Sequence, residues 1–269
     1  MTVVRTDLEN AMGAVLTSRS ARDMIIESPD SFAGYFSLTS EESALLASMA
    51  DDLATLTPSF VRKREQGIRW PLSTTLFLLA EQGTILTEEY SEMYAPLESA
   101  AADGLRFADF LVEQIRELAE HIPCGDVILD VARLEQLRMQ CYCTEGPLWP
   151  VREEDPLDPG RVDPTRVLWL HRSAAVRRFG SDVRTVRSRQ DLSRARQDPA
   201  NLVVIQRDGD GEVVVLRVDD DGAHALELIA ARQGEISAAE IGQVAGPGRS
   251  LESLLGKLIS QAVIRGTRS

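Results

Sequence analysis

Residues 201–218 read NLVVIQRDGDGEVVVLRV: two runs rich in Val, Ile and Leu, split by Asp208-Gly209-Asp210-Gly211. β-Branched residues suit a pleated, half-buried surface, and glycine supplies the positive φ that a tight reversal needs. The stretch therefore predicts a β-hairpin. Beyond it the apolar spacing changes from strand-like to helical: Leu226 and Ile229, then Ile241 and Ala245, then Leu251, Leu254, Leu255, Leu258, Ile259 and Ala262. Ser237 with Glu240 forms a capping box opening the middle segment, while Gly234 and Gly246-Pro247-Gly248 punctuate the others. The order is strands first, then three short helices.

Working outward, Val167-Leu168-Trp169-Leu170 and Val183 to Val186 read as further strands, which predicts a small antiparallel sheet ahead of the three helices. Thr144 to Thr165 carries Pro147, Pro150, Pro156, Pro159 and Pro164 and reads as a linker or an extended wrap. Leu148 and Trp149 inside it are large apolar groups that are costly to leave in water. Before it, every segment has helical period. Asp7 opens a helix with Leu8, Met12, Val15 and Leu16 on one face, running to Ser28-Pro29. Thr39 and Glu42 make a second capping box ahead of Leu45, Leu46, Met49 and Leu53, and Pro58 and Pro71 mark fresh starts. Leu105, Ala108, Leu111, Val112, Ile115 and Leu118 form another stripe, and Val127 to Leu137 one more helix. The expected class is α+β, with an all-α domain over 1–143, a proline-rich linker over 144–165 and a small mixed domain over 166–269.

The net charge of −13 argues against general phosphate binding, yet it is unevenly spread. Between Arg161 and Arg207 there are eleven Arg and four Asp, a basic island on an acidic body. It reads either as a solvated face or as a dock for acidic peptide or nucleic acid. No apolar run is long enough for a membrane span, and residues 1–10 lack a signal-peptide core, so a cytoplasmic protein is expected. Cys124, Cys141 and Cys143 follow no disulfide-framework spacing and are expected as free thiols.

Catalytic machinery is thin. His121, His171 and His224 stand at no metal-ligand spacing, and Cys141-x-Cys143 lacks a second pair. The Gly-x-Gly at Gly209/Gly211 joins two strands and that at Gly246/Gly248 joins two helices, so neither opens a phosphate-binding helix after a strand. The pairs Glu41-Glu42, Glu88-Glu89 and Glu153-Glu154 read as solvated acids. No catalytic or metal-binding residue is assigned.

Val61-Arg62-Lys63-Arg64, Trp70-Pro71-Leu72, Thr75-Leu76-Phe77-Leu78-Leu79, Tyr90 and Leu105-Arg106-Phe107-Ala108-Asp109-Phe110-Leu111 together resemble the helical domain of partner proteins of multinuclear non-heme iron-dependent oxidases. Those systems modify ribosomally made peptides. The resemblance implies a C-terminal winged-helix-like module, similar to the peptide-recognition elements of such pathways, with antiparallel strands followed by three helices. It also implies that this chain is no enzyme and carries no cofactor. Iron would belong to the companion oxidase, and this chain would hold the leader of the precursor peptide and present it.

An exposed sheet edge accepts an extended peptide as an added strand. Val213, Val215 and Arg217 are the expected edge contacts, and Leu251, Leu254 and Leu258 the apolar floor, with service in the core as the alternative for each leucine. Arg62, Arg64, Arg69 and Trp70 are the expected contacts with the oxidase, with packing inside the domain as the alternative for Trp70. A second reading is a winged-helix DNA-binding regulator, although the last helix offers only Lys257 and flanking Arg249 as basic groups. A third, a cysteine nucleophile at Cys141 or Cys143, lacks a visible base partner.

Overall fold

Apolar stripes at helical period dominate the first half of the chain, and the computed structural model turns them into helices. It describes residues 6–94, 96–97, 99–143, 154–155, 157–158, 162–171, 173–195, 198–206, 212–232, 235–243, 251–261 and 263–267. Two units emerge, Met1–Gln136 and Leu137–Ser269. The boundary thus falls inside a helix, Gly125–Cys143, a few residues ahead of 143. Among the described residues no helix is long and apolar enough to cross a membrane.

The first unit comprises α1 (Thr6–Thr17), α2 (Arg19–Glu27), α3 (Pro29–Tyr35), α4 (Ser40–Ser48), α5 (Ala50–Arg69), a 3-10 turn (Trp70–Leu72), α6 (Ser73–Leu79), α7 (Glu81–Met93), α8 (Ala100–Leu118) and α9 (Gly125–Cys143). Ala11, Val15, Ile25, Phe32, Leu46 and Leu53 form one core of this unit. The single helix expected from Asp7 to Ser28 is two, since the Ser18 hydroxyl accepts the Ala21 N–H and restarts the helix. The Thr39/Glu42 capping box is present as predicted. Pro58 does not start a helix and lies inside α5. An interior proline removes a hydrogen bond and costs on the order of 3 kcal/mol, a penalty offset here by burial of Leu53 and Ile68 on the same helix.

Helix α6 has no cap of its own. Its free amides are met by Glu135 of α9, whose carboxylate accepts the Thr74 and Thr75 N–H groups at 3.0 and 2.9 Å and the Thr75 hydroxyl at 2.7 Å. A buried carboxylate at a helix N-terminus is doubly favoured, by hydrogen bonding and by the helix dipole. The α6–α7 junction turns on Ala80, held at φ 53° and ψ −121°.

The second unit begins with the end of α9 and continues through β1 (Glu154–Asp155), β2 (Val167–Leu170), β3 (Ala175–Phe179), a 3-10 turn (Val183–Thr185), α10 (Arg189–Ala195), β4 (Ala200–Gln206), β5 (Val213–Val218), α11 (Asp220–Arg232), β6 (Ile236–Ser237), α12 (Ala238–Gly242), α13 (Leu251–Ser260) and β7 (Ile264–Thr267). It holds two antiparallel sheets, ordered β1-β7-β2-β6 and β3-β4-β5. The hairpin predicted from 201–218 is β4–β5, with Asn201 opposite Val218 and Gln206 opposite Val213. Its turn and the glycines Gly234, Gly246 and Gly248 lie outside the described residues. The three helices follow in the predicted order, with the Ser237/Glu240 capping box opening α12.

Two expectations fail in this unit. Val183 to Val186 is not a strand: the Asp182 carboxylate accepts the Arg184 N–H and closes a 3-10 turn instead. Within the proline-rich segment, read as a linker or an extended wrap, Glu154–Asp155 pairs with β7. The strands do not all precede the helices either, since β6 separates α11 from α12 and β7 follows α13. One core unites both sheets and the helices, built from Leu168 and Leu170 (β2), Val203 and Ile205 (β4), Leu226 and Ile229 (α11), Ile241 (α12), Leu255, Leu258 and Ile259 (α13) and Ile264 (β7). Ser173 fastens the two sheets together: its hydroxyl donates to the Gln206 carbonyl and accepts the Gln206 N–H, each at 3.0 Å, while the His171 N–H donates to the Val263 carbonyl at 2.7 Å.

The Ala80 backbone gives a first prediction. A non-glycine residue held in that region stores about 1–3 kcal/mol, and glycine relieves it at an entropic cost of about 0.5–1 kcal/mol. Ala80→Gly is therefore expected to stabilise the protein by about 1 kcal/mol and raise its Tm in a calorimetric melt; an unchanged or lower Tm contradicts the strain.

Candidate functional site

Six consecutive apolar or long side chains on one strand usually mean a buried centre strand. Strand β5, Val213–Val218, has that composition, yet all six residues are only half-buried. The cause is its place in the sheet. Strand β4 is central and buried along nearly its whole length, whereas β5 has β4 on one side and no further strand among the described residues.

Side chains alternate across a strand. Val214, Leu216 and Val218 pack on the core, and Val213, Val215 and Arg217 take the other face, opposite Gln206, Val204 and Leu202 in the register. The expected edge residues Val213 and Val215 are thus on one face of an edge strand. Of the expected floor, Leu258 is 2% exposed within the core, the alternative foreseen for it; the side chains of Leu251 and Leu254 lie outside the described residues.

Arg217 also lies on that face, but as a clamped group. Its Nη1 and Nη2 donate to Asp198 Oδ2 and Oδ1 at 2.6 and 2.7 Å, and Nη1 also reaches Asp182 Oδ2 at 3.1 Å. Asp182 in turn accepts Arg184 Nε at 2.8 Å and Nη2 at 2.6 Å. The hydrogen bond from Arg217 holds the Asp198 carboxyl below its ordinary range, and that from Arg184 does the same for Asp182. An acidic leader meeting Arg217 would have to compete with two carboxylates already in place. Arg217 as a simple counter-ion for acid is therefore corrected to a member of an internal ion network.

The acidic run Asp219-Asp220-Asp221 has a local explanation. Asp219 Oδ1 accepts the Gly222 N–H at 2.8 Å, and Asp220 and Asp221 fill the first turn of α11, where the helix dipole favours negative charge. Asp220 Oδ1 also accepts from Asn201 Nδ2 at 2.7 Å, tying α11 to β4. Between these groups lies an open cavity of about 530 Å³, bounded by Arg184, Asn201, Arg217, Val218, Asp219 and Asp220. Asp182, Arg184, Asp198, Asn201 and Asp220 were not legible as a site from sequence, because they come from three separate segments.

In the helical unit the expected contacts divide. Trp70 is 80% exposed, which removes packing inside the domain as its role; Arg62 is exposed and Arg69 half-buried. Arg64 is interior. Its side chain is 6% exposed, Nε and Nη2 donate to Asp103 at 2.7 and 3.1 Å, and Nη1 donates to the Tyr94 and Ser91 carbonyls at 2.7 and 3.2 Å. Asp103 also accepts from Arg106 Nη2 at 3.0 Å and from the Tyr90 hydroxyl at 2.7 Å, and burial pushes the Tyr90 phenol up to about 12. Arg64 therefore joins α5, α7 and α8 and is not a surface anchor. Phe60 and Phe77, 42% and 62% exposed, are apolar surface groups that the pattern reading did not single out as contacts.

The three cysteines are free thiols. Cys141 is buried, its Sγ donates to the Val204 carbonyl at 3.8 Å, and burial raises its pKa to about 11; burial also raises Cys143. Such thiols are poor nucleophiles near neutral pH. Among the described residues no three His, Cys, Asp or Glu stand close enough to hold a metal ion. Comparison with protein-family models and with curated protein sequences gives no match.

The clamp on Arg217 predicts a pH dependence. A carboxylate whose folded pKa is depressed stabilises the fold above its ordinary value near 4 and loses that contribution as pH falls through the lower folded value. Asp198→Asn is expected to lower Tm at pH 7 and to flatten the fall in Tm between about pH 5 and pH 2, measured by circular dichroism. Parallel wild-type and variant curves would show that the clamp does not contribute.

Proposed function

We propose that this chain is a non-catalytic cytoplasmic subunit that binds the leader of a ribosomally made precursor peptide along β5 and presents it to a multinuclear non-heme iron-dependent oxidase. One observation carries the reading: among the described residues β5 is an apolar strand at the edge of its sheet. Natural edges are usually blunted by lysine, proline, bulges or inward charge. Val213–Val218 has none of the first two, and its one charge, Arg217, is neutralised by Asp198 and Asp182. Such an edge offers a row of main-chain donors and acceptors to an extended peptide, with apolar side chains above and below to grip alternate residues.

The winged-helix-like reading of the module draws support from the order α11, β6, α12, α13, β7 around one core. The oxidase contact draws support from the helical unit. Four of the ten Lys and Arg of residues 1–136 fall within 62–69, and Arg62 stands there with exposed Phe60 and Trp70. Aromatic and arginine side chains together are the usual anchors of protein interfaces.

Neighbouring residues on an antiparallel edge strand point their amides in opposite directions, one at the partner strand and one outward. Of Val214→Pro and Val215→Pro, one loses a ladder bond to β4 and the other an outward donor. The second should keep its Tm while weakening the binding of a fluorescein-labelled candidate precursor peptide by about 1–3 kcal/mol in fluorescence anisotropy. Wild-type affinity in whichever variant stays folded would remove β5 as the binding edge. In parallel, Arg62→Glu with Trp70→Ala is expected to abolish co-elution with the oxidase on a sizing column and to leave peptide affinity unchanged.

A further inference from the structure

The outer side of α5 carries a line of residues that the fold of the helical unit does not use. Leu56, Phe60, Lys63, Gly67 and Trp70 follow one another at alternating steps of four and three, and the Trp70 N–H donates to the Gln66 carbonyl, so the helical pitch holds to the end of the line. That spacing puts all five on one stripe about 21 Å long. Leu53, Arg64 and Ile68 face the interior, while Leu56, Phe60 and Trp70 are 52%, 42% and 80% exposed and Lys63 and Gly67 are exposed as well. Gly67 has no packing role within the unit: a methyl group placed on it would meet nothing within 4 Å among the described residues. Glycine is a poor residue for a helix interior, so it weakens α5 here with no return inside the chain.

We propose that this stripe is the seat of an acidic amphipathic helix of the partner protein. The inference rests on the oxidase contact proposed above and names the element which that contact receives. Alternating steps of four and three make the seam along which two helices pack side by side, and Gly67, between Lys63 and Trp70, is a hole open to an incoming helix. The charge of the seat is equally specific. Glu65 is the sole acid in residues 55–70, against Arg62, Lys63, Arg64 and Arg69, and Arg64 is spent on Asp103. Arg62 and Lys63 have no ion pair among the described residues. Residues 1–136 as a whole carry twenty-three Asp and Glu against ten Lys and Arg. An acidic helix is thus drawn to this one place on a unit that repels it elsewhere. A second copy of this chain suits the stripe less: in a symmetric α5–α5 pair centred on the stripe, Lys63 meets Lys63.

Fluorescein-labelled peptides of three repeats of Leu-Glu-Gln-Leu-Ala-Glu-Ala, and the same with Lys in place of Glu, serve as probes in anisotropy with the full chain. The acidic peptide is expected to bind about tenfold tighter than the basic one, a difference that shrinks as salt is raised. Gly67→Gln fills the hole: it should weaken the acidic peptide about tenfold while leaving Tm unchanged or higher, since glutamine is the better helix former, which separates lost binding from lost folding. Phe60→Ala should weaken it too, and Leu45→Ala, at an exposed leucine on α4, should not. Equal affinity for both peptides, no binding of either, or binding that Gly67→Gln leaves intact would overturn the helix seat. Oxidase co-elution lost in Arg62→Glu with Trp70→Ala but kept in Gly67→Gln would also overturn it and leave the oxidase contact standing. An acidic peptide that binds and is blocked by Gly67→Gln, while the oxidase co-elutes with every variant, would keep the seat and sink the oxidase contact. A dimer in light scattering that Gly67→Gln dissolves would assign the stripe to a second copy and overturn the proposal.

Discussion

Burial of β4 is the constraint on which the second unit depends. The strand sends Val203 and Ile205 into the core shared with both sheets, while Leu202 and Val204 are equally buried on its other face. A strand covered on both faces must satisfy its backbone through neighbours in the sheet, and β3 and β5 supply them. That arrangement uses up the inner edges of β3 and β5 and leaves the outer edge of β5 facing away from the ladder. The feature to which a function is attached here is thus the remainder of a packing solution: a centre strand needs two flanks, and among the described residues β3 and β5 each end the sheet on one side.

The helical unit is organised by a polar counterpart. Arg64, Asp103, Arg106 and Tyr90 bring two guanidiniums, a carboxylate and a phenol together, with Arg64, Asp103 and Tyr90 inside the protein. Buried charges are tolerated only when paired and hydrogen-bonded, and Asp103 accepts from all three partners. This network locks α5 against α7 and α8, so the residues just beyond it on α5 and the following turn, including Trp70, are held on a fixed backbone while remaining in solvent. An exposed tryptophan on a rigid support loses little conformational entropy on meeting a partner, which suits a docking surface.

Much of the local structure was legible. The β4–β5 hairpin followed from two β-branched runs and a glycine-rich break, and the capping boxes at Thr39/Glu42 and Ser237/Glu240 stand where the pattern put them. Local signals misled where tertiary contacts outweighed them. Pro58 sits within α5 because the helix buries apolar groups on both sides of it. Strands β1 and β6 are two residues long, too short for any alternation to register, and exist because β7 and β2 lie beside them. The Val183 run lost its strand to a single side chain, Asp182, closing a turn on Arg184.

For the candidate site the division is sharper. The sequence by itself determined that β5 is an apolar strand in a hairpin and that three helices follow it, because alternation, turn residues and helical period are properties of neighbours along the chain. Only the tertiary structure decided which strand is central, which is the edge, and what each charged residue faces. Arg64 and Arg217 look alike in sequence, two arginines among apolar residues, yet one is held inside by Asp103 and the other clamped by Asp198 and Asp182. Their partners lie 39, 19 and 35 residues away, and no local pattern carries a pairing over that distance. Charge on a side chain is written in the sequence; whether that charge is spent or available is settled by the fold.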